Sequence, residues 1–389
     1  MQVHSTSFIC SIPRLLLLLM LTGLAACEQP SAPEPSGEVY RVSYAAFVEE
    51  GETLERDDVL EGILTANAAD PYLDNGDRLE IVYRKQAAPL RQAEEQLQLY
   101  AEDSAVSILL LGSGSRIALQ LKDRIESLEL PTLAVTATHP DVVSEAEFMS
   151  QLGFDDQKQA RAAALFVRDE LLINRVAVVF DENNPHSGYL AQEFRTKFEM
   201  TGGRVEGFQL QSDLDVLTLE EWRDRGARFI YMPLSAAGVL DVYAKLDSIG
   251  WSPVVMAADG VLATVSREFP NRWIELQGMY VTEFYTHSDD STYMARFVED
   301  VADAYKQAYG DEVNTLTVLG VEAYYSVLDS VNECPDRSNR SCVNKALRSG
   351  EVRLGVMSRY SIQQDGKTQG PIYINRIIDD TLELVVKVN

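Results

Sequence analysis

The sequence predicts an α/β protein made of two doubly wound lobes joined by a hinge that the chain crosses several times. Three observations carry this prediction. Short continuous apolar runs such as VSILLLG (106–112) and RVAVVFD (175–181) suit parallel strands buried on both faces. Amphipathic stretches of helical period alternate with them, which is the βαβ order of an open sheet. The alternation comes in two blocks and then gives way to two long helical patterns and a terminal strand pair.

In chain order, VYRVSYAAF (39–47) reads as a strand, an acidic loop follows, and 57–70 reads as a helix. A strand at 78–85, a helix at 89–103, a strand at 106–112, a helix at 116–128 and a strand at 131–137 complete the first block. The second has a helix at 156–171, strands at 175–181 and 204–210, and between them a helix at 189–201. Strands at 228–234 and 253–259 flank AGVLDVYAKLDSIG, a helix. Long helices are expected at 292–310 and 316–333. The Asp-Gly turn and alternation of 358–388 suggest an antiparallel addition to a sheet. The expected organisation is lobe 1 from 39–158 plus 282–345, and lobe 2 from 159–281 plus 346–389.

The first 38 residues stand apart. Arg14 precedes a short apolar run, Leu15 to Ala26, that resembles a secretory signal rather than a membrane span. Leu24-Ala25-Ala26-Cys27 resembles a lipobox, which makes 1–26 a lipoprotein signal peptide and Cys27 the lipidated residue; a plain signal cut near Ala26 is the alternative. Residues 27–38 then form a Pro-, Ser- and Glu-rich tether. Glu28 after the cysteine matches the outer-membrane default of Gram-negative lipoproteins, so the expected location is the periplasm, anchored to a bilayer through Cys27. Of the remaining cysteines, Cys10 leaves with the signal, and Cys334 and Cys342 read as a local disulfide in an oxidising compartment.

The formal charge of −26 over 389 residues excludes nucleic acid as a natural partner, because phosphate neutralisation needs Lys and Arg. No HExxH, GxSxG or CxxC is present, so no catalytic residue is expected. The four histidines lack ligand spacing with the cysteines, and neither a metal nor a cofactor is expected. Asp155-Asp156 and Asp289-Asp290 read as solvated loops, and Trp222, Trp251 and Trp273 as packing residues.

From Val39 onward the chain resembles the type-I periplasmic binding proteins, the fold of the branched-chain amino-acid-binding proteins of ABC transporters. The resemblance rests on DRLEIVYRKQ (77–86), LLLGSGSRIAL (109–119), LPTLAVTATHP (130–140) and RVAVVFDENNPHSGYLAQEF (175–194). Further support comes from YAKLDSIGWSPVVMAADG (243–260), FVEDVADAYKQAYG (297–310) and GPIYINRI (370–377). It implies Rossmann-like lobes that close over a small amino acid or related carboxylate or amide, and an inner-membrane ABC permease as partner.

The resemblance also implies a site. Ser113-Gly114-Ser115 sits in a strand-to-helix turn that lacks the Lys of a phosphate loop and the third Gly of a dinucleotide fingerprint. Its hydroxyls and the helix start suit a carboxylate. The next strand end offers Thr136, Ala137 and Thr138, with His139 as a loop residue. From lobe 2, His186 or Tyr189 would supply an aromatic wall, Tyr231 would face the cleft beside Ser235, and Asp259 would pair with an ammonium group. Tyr44 and the acidic loop Glu49–Glu52 occupy the first strand end, where the family often has a hydroxyl loop. That departure leaves a second reading open: a non-transport outer-membrane lipoprotein that uses the fold as a sensor or regulator of a partner protein, as regulators of cell-wall synthases do.

Overall fold

The computed structural model describes residues 37–389 apart from 55, 287–293, 357 and 380. The signal segment, Cys27, most of the tether and Asp289-Asp290 lie outside the described residues. Among those described, no helix is long and apolar enough to cross a membrane.

In lobe 1 the chain runs β1 (Val39–Ala45), β2 (Phe47–Val48), α1 (Asp58–Ala69), β3 (Arg78–Val82), β4 (Ala88–Pro89) and α2 (Ala93–Glu102). It continues through β5 (Val106–Leu111), α3 (Ser115–Ser127), β6 (Thr132–Ala134) and β7 (Met149–Gln151). The sheet is fully parallel in the order β3-β1-β5-β6-β7, and every residue of β5 is buried. That is why its run contains no polar alternation. Short β2 and β4 pair separately at the edge.

Lobe 2 repeats the plan with α4 (Asp156–Leu165), β8 (Arg175–Phe180), α5 (Pro185–Met200), β9 (Arg204–Leu210), α6 (Val216–Asp224) and β10 (Phe229–Met232). Then follow α7 (Ala236–Ser248), β11 (Val254–Ala257), α8 (Val261–Glu268) and β12 (Tyr280–Glu283). Strands β9-β8-β10-β11-β12 lie parallel in that order. In each sheet the strand order reverses once, between β1 and β5 and between β8 and β10. Loops part at such a reversal and leave a crevice at the carboxyl ends of the strands.

The chain then returns to lobe 1 as α9 (Met294–Tyr309), α10 (Thr315–Asn332) and α11 (Arg340–Leu347). A small antiparallel sheet follows, β13 (Arg353–Leu354), β14 (Arg359–Ile362) and β15 (Thr368–Gln369). Finally β16 (Ile372–Ile378) and β17 (Thr381–Val388) add antiparallel to β12 at the edge of the second sheet. The small sheet packs on lobe 1: the Gln151 N–H donates to the Gly366 carbonyl at 2.8 Å, and the Thr368 hydroxyl to the Gln151 carbonyl at 2.6 Å. The last crossing therefore comes near Gly370, later than the boundary at 345/346 expected from sequence. The hinge has three crossings, after β7, β12 and β15. Phe154 and Phe284, from the first two, stack with ring centres 4.1 Å apart.

Cys334 and Cys342 form the expected disulfide between α10 and α11, across a sequence separation of 8. Loop-closure entropy for so short a loop amounts to about 2–3 kcal/mol. Cys334→Ser with Cys342→Ser should therefore lower the urea midpoint correspondingly and remove the sensitivity of that midpoint to reductant.

Candidate functional site

The Gly112–Ser115 turn follows β5 at the strand-order reversal, as its sequence context suggests. Its side chains are taken up by the protein itself. Ser113 is buried; its hydroxyl accepts the Phe47 N–H at 2.7 Å and lies 3.2 Å from the Phe47 carbonyl. The Ser115 hydroxyl accepts the N–H groups of both Thr138 and His139 at 3.1 Å, and Thr136 donates to the Gly112 carbonyl at 3.0 Å. Gly112 is required by close approach, since a Cβ there would lie 2.0 Å from the Tyr44 hydroxyl, which itself donates to Asp57. Gly114 has open space and marks the start of α3. The turn thus stitches three strand ends together, and Ala137 is buried beneath them. What it leaves is the very start of α3, where the Ser115 and Arg116 N–H groups have no partner within the helix, while those of Ile117 and Ala118 donate to the Gly114 carbonyl at 3.2 and 3.0 Å.

Ser115→Ala is a direct check of this structural role. It strands two buried N–H groups, so a loss of about 2–3 kcal/mol in urea unfolding is expected, whatever it does to a ligand.

Arg116, just after the turn, pairs with Glu49 and Glu52 at 3.4 Å each. The acidic loop is therefore held by arginine on the surface of lobe 1.

The facing lobe contributes a charged cluster in which Asp156 is fully buried and His186 and Asp259 are partly exposed. Asn184 caps α5 through the His186 N–H, and Pro185 occupies its first turn, so the helix starts four residues before the expected Tyr189. This places His186 between two acids. Its Nδ1 lies 3.0 Å from Asp156 Oδ1 and 3.1 Å from the Thr138 hydroxyl of lobe 1; its Nε2 lies 3.7 Å from Asp259 Oδ1. Burial alone would lower the His186 pKa, but the charges of Asp156 and Asp259 and the hydrogen bond to Asp156 outweigh it and raise it to about 9. His186 is thus an imidazolium at neutral pH. Burial raises the Asp259 carboxyl, and His186 opposes that rise.

Gln159 completes the cluster, donating at 2.6 Å to both Asp259 and Thr282. Tyr189 meets His139 of lobe 1 edge-on with ring centres 4.8 Å apart. Tyr231, expected to face the cleft, is instead fully buried in the lobe 2 core and stacked on Phe194 at 4.3 Å, because β10 is covered on both faces. Ser235 caps α7. Asp156, read from sequence as a solvated loop residue, is completely buried at the start of α4.

With this geometry in place, the comparisons decide the family. Residues 65–381 match the family model described as periplasmic binding protein. The chain belongs to that family.

Solved structures agree with the fold. A leucine-binding protein of Thermotoga maritima superposes with a TM-score of 0.76 at 21% identity, covering 90% of this chain and 99% of its own. A substrate-binding protein of Desulfitobacterium hafniense in complex with leucine gives 0.76 at 16%, with 90% and 100% covered. A solute-binding protein of Rhodopseudomonas palustris in complex with 3,4-dihydroxybenzoic acid gives 0.75 at 13%, with 90% and 97% covered. No curated protein matches the chain. Family membership makes it a binding protein of the periplasmic type and not an enzyme. Among the described residues, no group of three or more His, Cys, Asp or Glu side chains is placed so that it could hold a metal ion.

In this periplasmic binding protein the lobes also meet on a second side. Arg267 at the end of α8 donates to Asp58 at 2.8 Å, and Asn314 donates to the same carboxylate at 3.1 Å. Sequence reasoning passed over Gln159, Thr282, Glu283, Asp58 and Arg267, and gave Asp156 to a solvated loop. Asn184-Pro185 was a legible helix start; for the others no local signal exists, since their partners lie far along the chain.

Proposed function

We propose that this protein is a lipid-anchored extracytoplasmic receptor that captures a small amino acid, or a related carboxylate or amide, between two closing lobes for an ABC transporter. The observation that carries this reading is the opposition, across the strand-order reversals, of the α3 start in lobe 1 and the Asp156–His186–Asp259 cluster in lobe 2. An anionic group suits the first, where helix N–H groups and dipole favour negative charge. A cationic group suits the second. The Thr138–His186 and Asp58–Arg267 contacts join the lobes, so a ligand that binds the closed form shifts the population toward it. The closed form is then the shape an inner-membrane permease recognises. Leu24-Ala25-Ala26-Cys27 supports anchoring at Cys27, at the outer membrane when Glu28 is read by the Gram-negative rule.

A second reading, a sensor or regulator of a partner protein, is favoured by one observation: Ser113 and Ser115 have their hydroxyls engaged by their own backbone. A thermal-shift screen of the mature protein against amino acids, amides and short carboxylates separates the two. A receptor gains about 2.7 kcal/mol at a ligand concentration a hundredfold above Kd. A flat response across the screen would sink the receptor reading and leave the regulator.

A further inference from the structure

A cavity of about 670 Å³ lies under the hinge, apart from the Thr138–His186 contact. Its walls come from both lobes: Leu262, Ala263 and Trp273 from lobe 2, Thr315 at the start of α10 in lobe 1, and Leu382 of β17. Glu283, the last residue of β12, lines it. That side chain is 1% exposed, and the one group beside it that favours its ionised form is the Thr315 hydroxyl, with no cation and no backbone N–H among the described residues on either carboxylate oxygen. Trp273 Nε1, also lining the cavity, is buried without a partner.

A carboxylate in such a place is costly unless something neutralises it. Burial, together with the negative charge of Asp259, pushes the Glu283 carboxyl up to about 8, so an incoming cation would favour its ionised form. Among the described lining residues there is no Lys, Arg or His, and the other charged one, Glu312, is also acidic. Glu312 already pairs with Lys306 at the surface, which leaves Glu283 as the interior charge. The rest of the wall is aliphatic and aromatic, and its volume falls in the range of small-molecule sites.

We propose that this hinge cavity binds an apolar monocation, a protonated amine or amidine, with its charged head on Glu283 and its body between Leu262, Trp273 and Leu382. The site goes beyond the receptor reading, since it needs no carboxylate on the ligand. An aromatic wall adds attraction for the cation. Because the walls belong to both lobes, occupancy would also bias the angle between them.

The test uses three probes of matched body and different head: phenethylamine, 2-phenylethanol and 3-phenylpropionate, titrated into the mature protein at neutral pH by calorimetry. The amine should bind at least tenfold more tightly than either of the others. In Glu283→Gln, which keeps the shape of the side chain, that tenfold preference should vanish while the unliganded Tm stays level or rises. Ala263→Phe, which fills the cavity, should abolish amine binding. Equal binding of the three probes, or an amine preference that survives Glu283→Gln, would overturn the proposal even if Ala263→Phe did not fold. Stabilisation by L-leucine with no binding of the amine would also overturn it, and would leave the receptor reading standing.

Discussion

His186→Leu is expected to cost about 2–4 kcal/mol in unfolding free energy, the lower part of the range for breaking a buried pair because His186 is partly exposed; it removes the cation between fully buried Asp156 and nearly buried Asp259 and leaves the two acids facing each other. Asp156 is fully buried and its Oδ2 has no hydrogen-bond partner, so neither backbone nor solvent replaces the lost imidazolium. The same group sets a pH dependence. With the folded-state pKa of His186 raised from 6.5 to about 9, its stabilisation is complete below about pH 6.5 and is lost as pH rises through 9. Glu283, raised from 4.5 to about 8, acts in the same direction: the folded form holds its proton more tightly, so stability falls as pH climbs from 4.5 through 8. Urea midpoints measured from pH 6 to pH 9.5 should fall steadily in the parent protein. In His186→Leu the upper part of that fall should disappear. A parent midpoint that holds level or rises over this range would exclude a cationic His186 in the folded state.

Gly320→Leu is expected to be at least as damaging. Helices α1 and α10 cross so closely that a Cβ on Gly320 would lie 2.1 Å from the Val59 carbonyl oxygen, and one on Gly62 would lie 2.1 Å from the Thr317 carbonyl oxygen. These are backbone atoms, which cannot swing aside as a flexible side chain can. Overpacking of this kind costs on the order of 3 kcal/mol or more, a large share of a typical stability of about 5–15 kcal/mol. The expected result is loss of soluble protein or a sharply lowered urea midpoint. Gly114→Ala is the control: with open space around it and ordinary backbone angles, it should stay within about 0.5 kcal/mol.

The contrast between these two glycines shows how far local reading reaches. Gly114 lies in a conspicuous Gly-Ser-Gly-Ser stretch yet tolerates a side chain. Gly320 sits unremarked in a helical pattern, and its importance comes from a helix some 260 residues earlier in the chain. The start of α5 is a different case. Asn184-Pro185 carries a recognisable cap and first-turn proline, and reading it would have moved His186 from a loop into the helix. Tyr231 was placed on the right strand but given the wrong surroundings. A continuous apolar run identifies a strand covered on both faces, and it does not say which of its residues reaches the open end.

By itself the sequence determined the two α/β lobes, the returning helices, the disulfide, and the position of the Gly112–Ser115 turn at a strand end. These follow from hydrophobic period and turn chemistry, which act over a few residues at a time. Only the tertiary structure decided that Ser113 and Ser115 bind their own backbone, that Asp156 is buried, that His186 joins Asp156, Asp259 and Thr138, and that Glu283 faces a cavity with no cation beside it among the described residues. Each of these depends on groups brought together from distant segments, and a residue's burial and charge state are properties of that assembly.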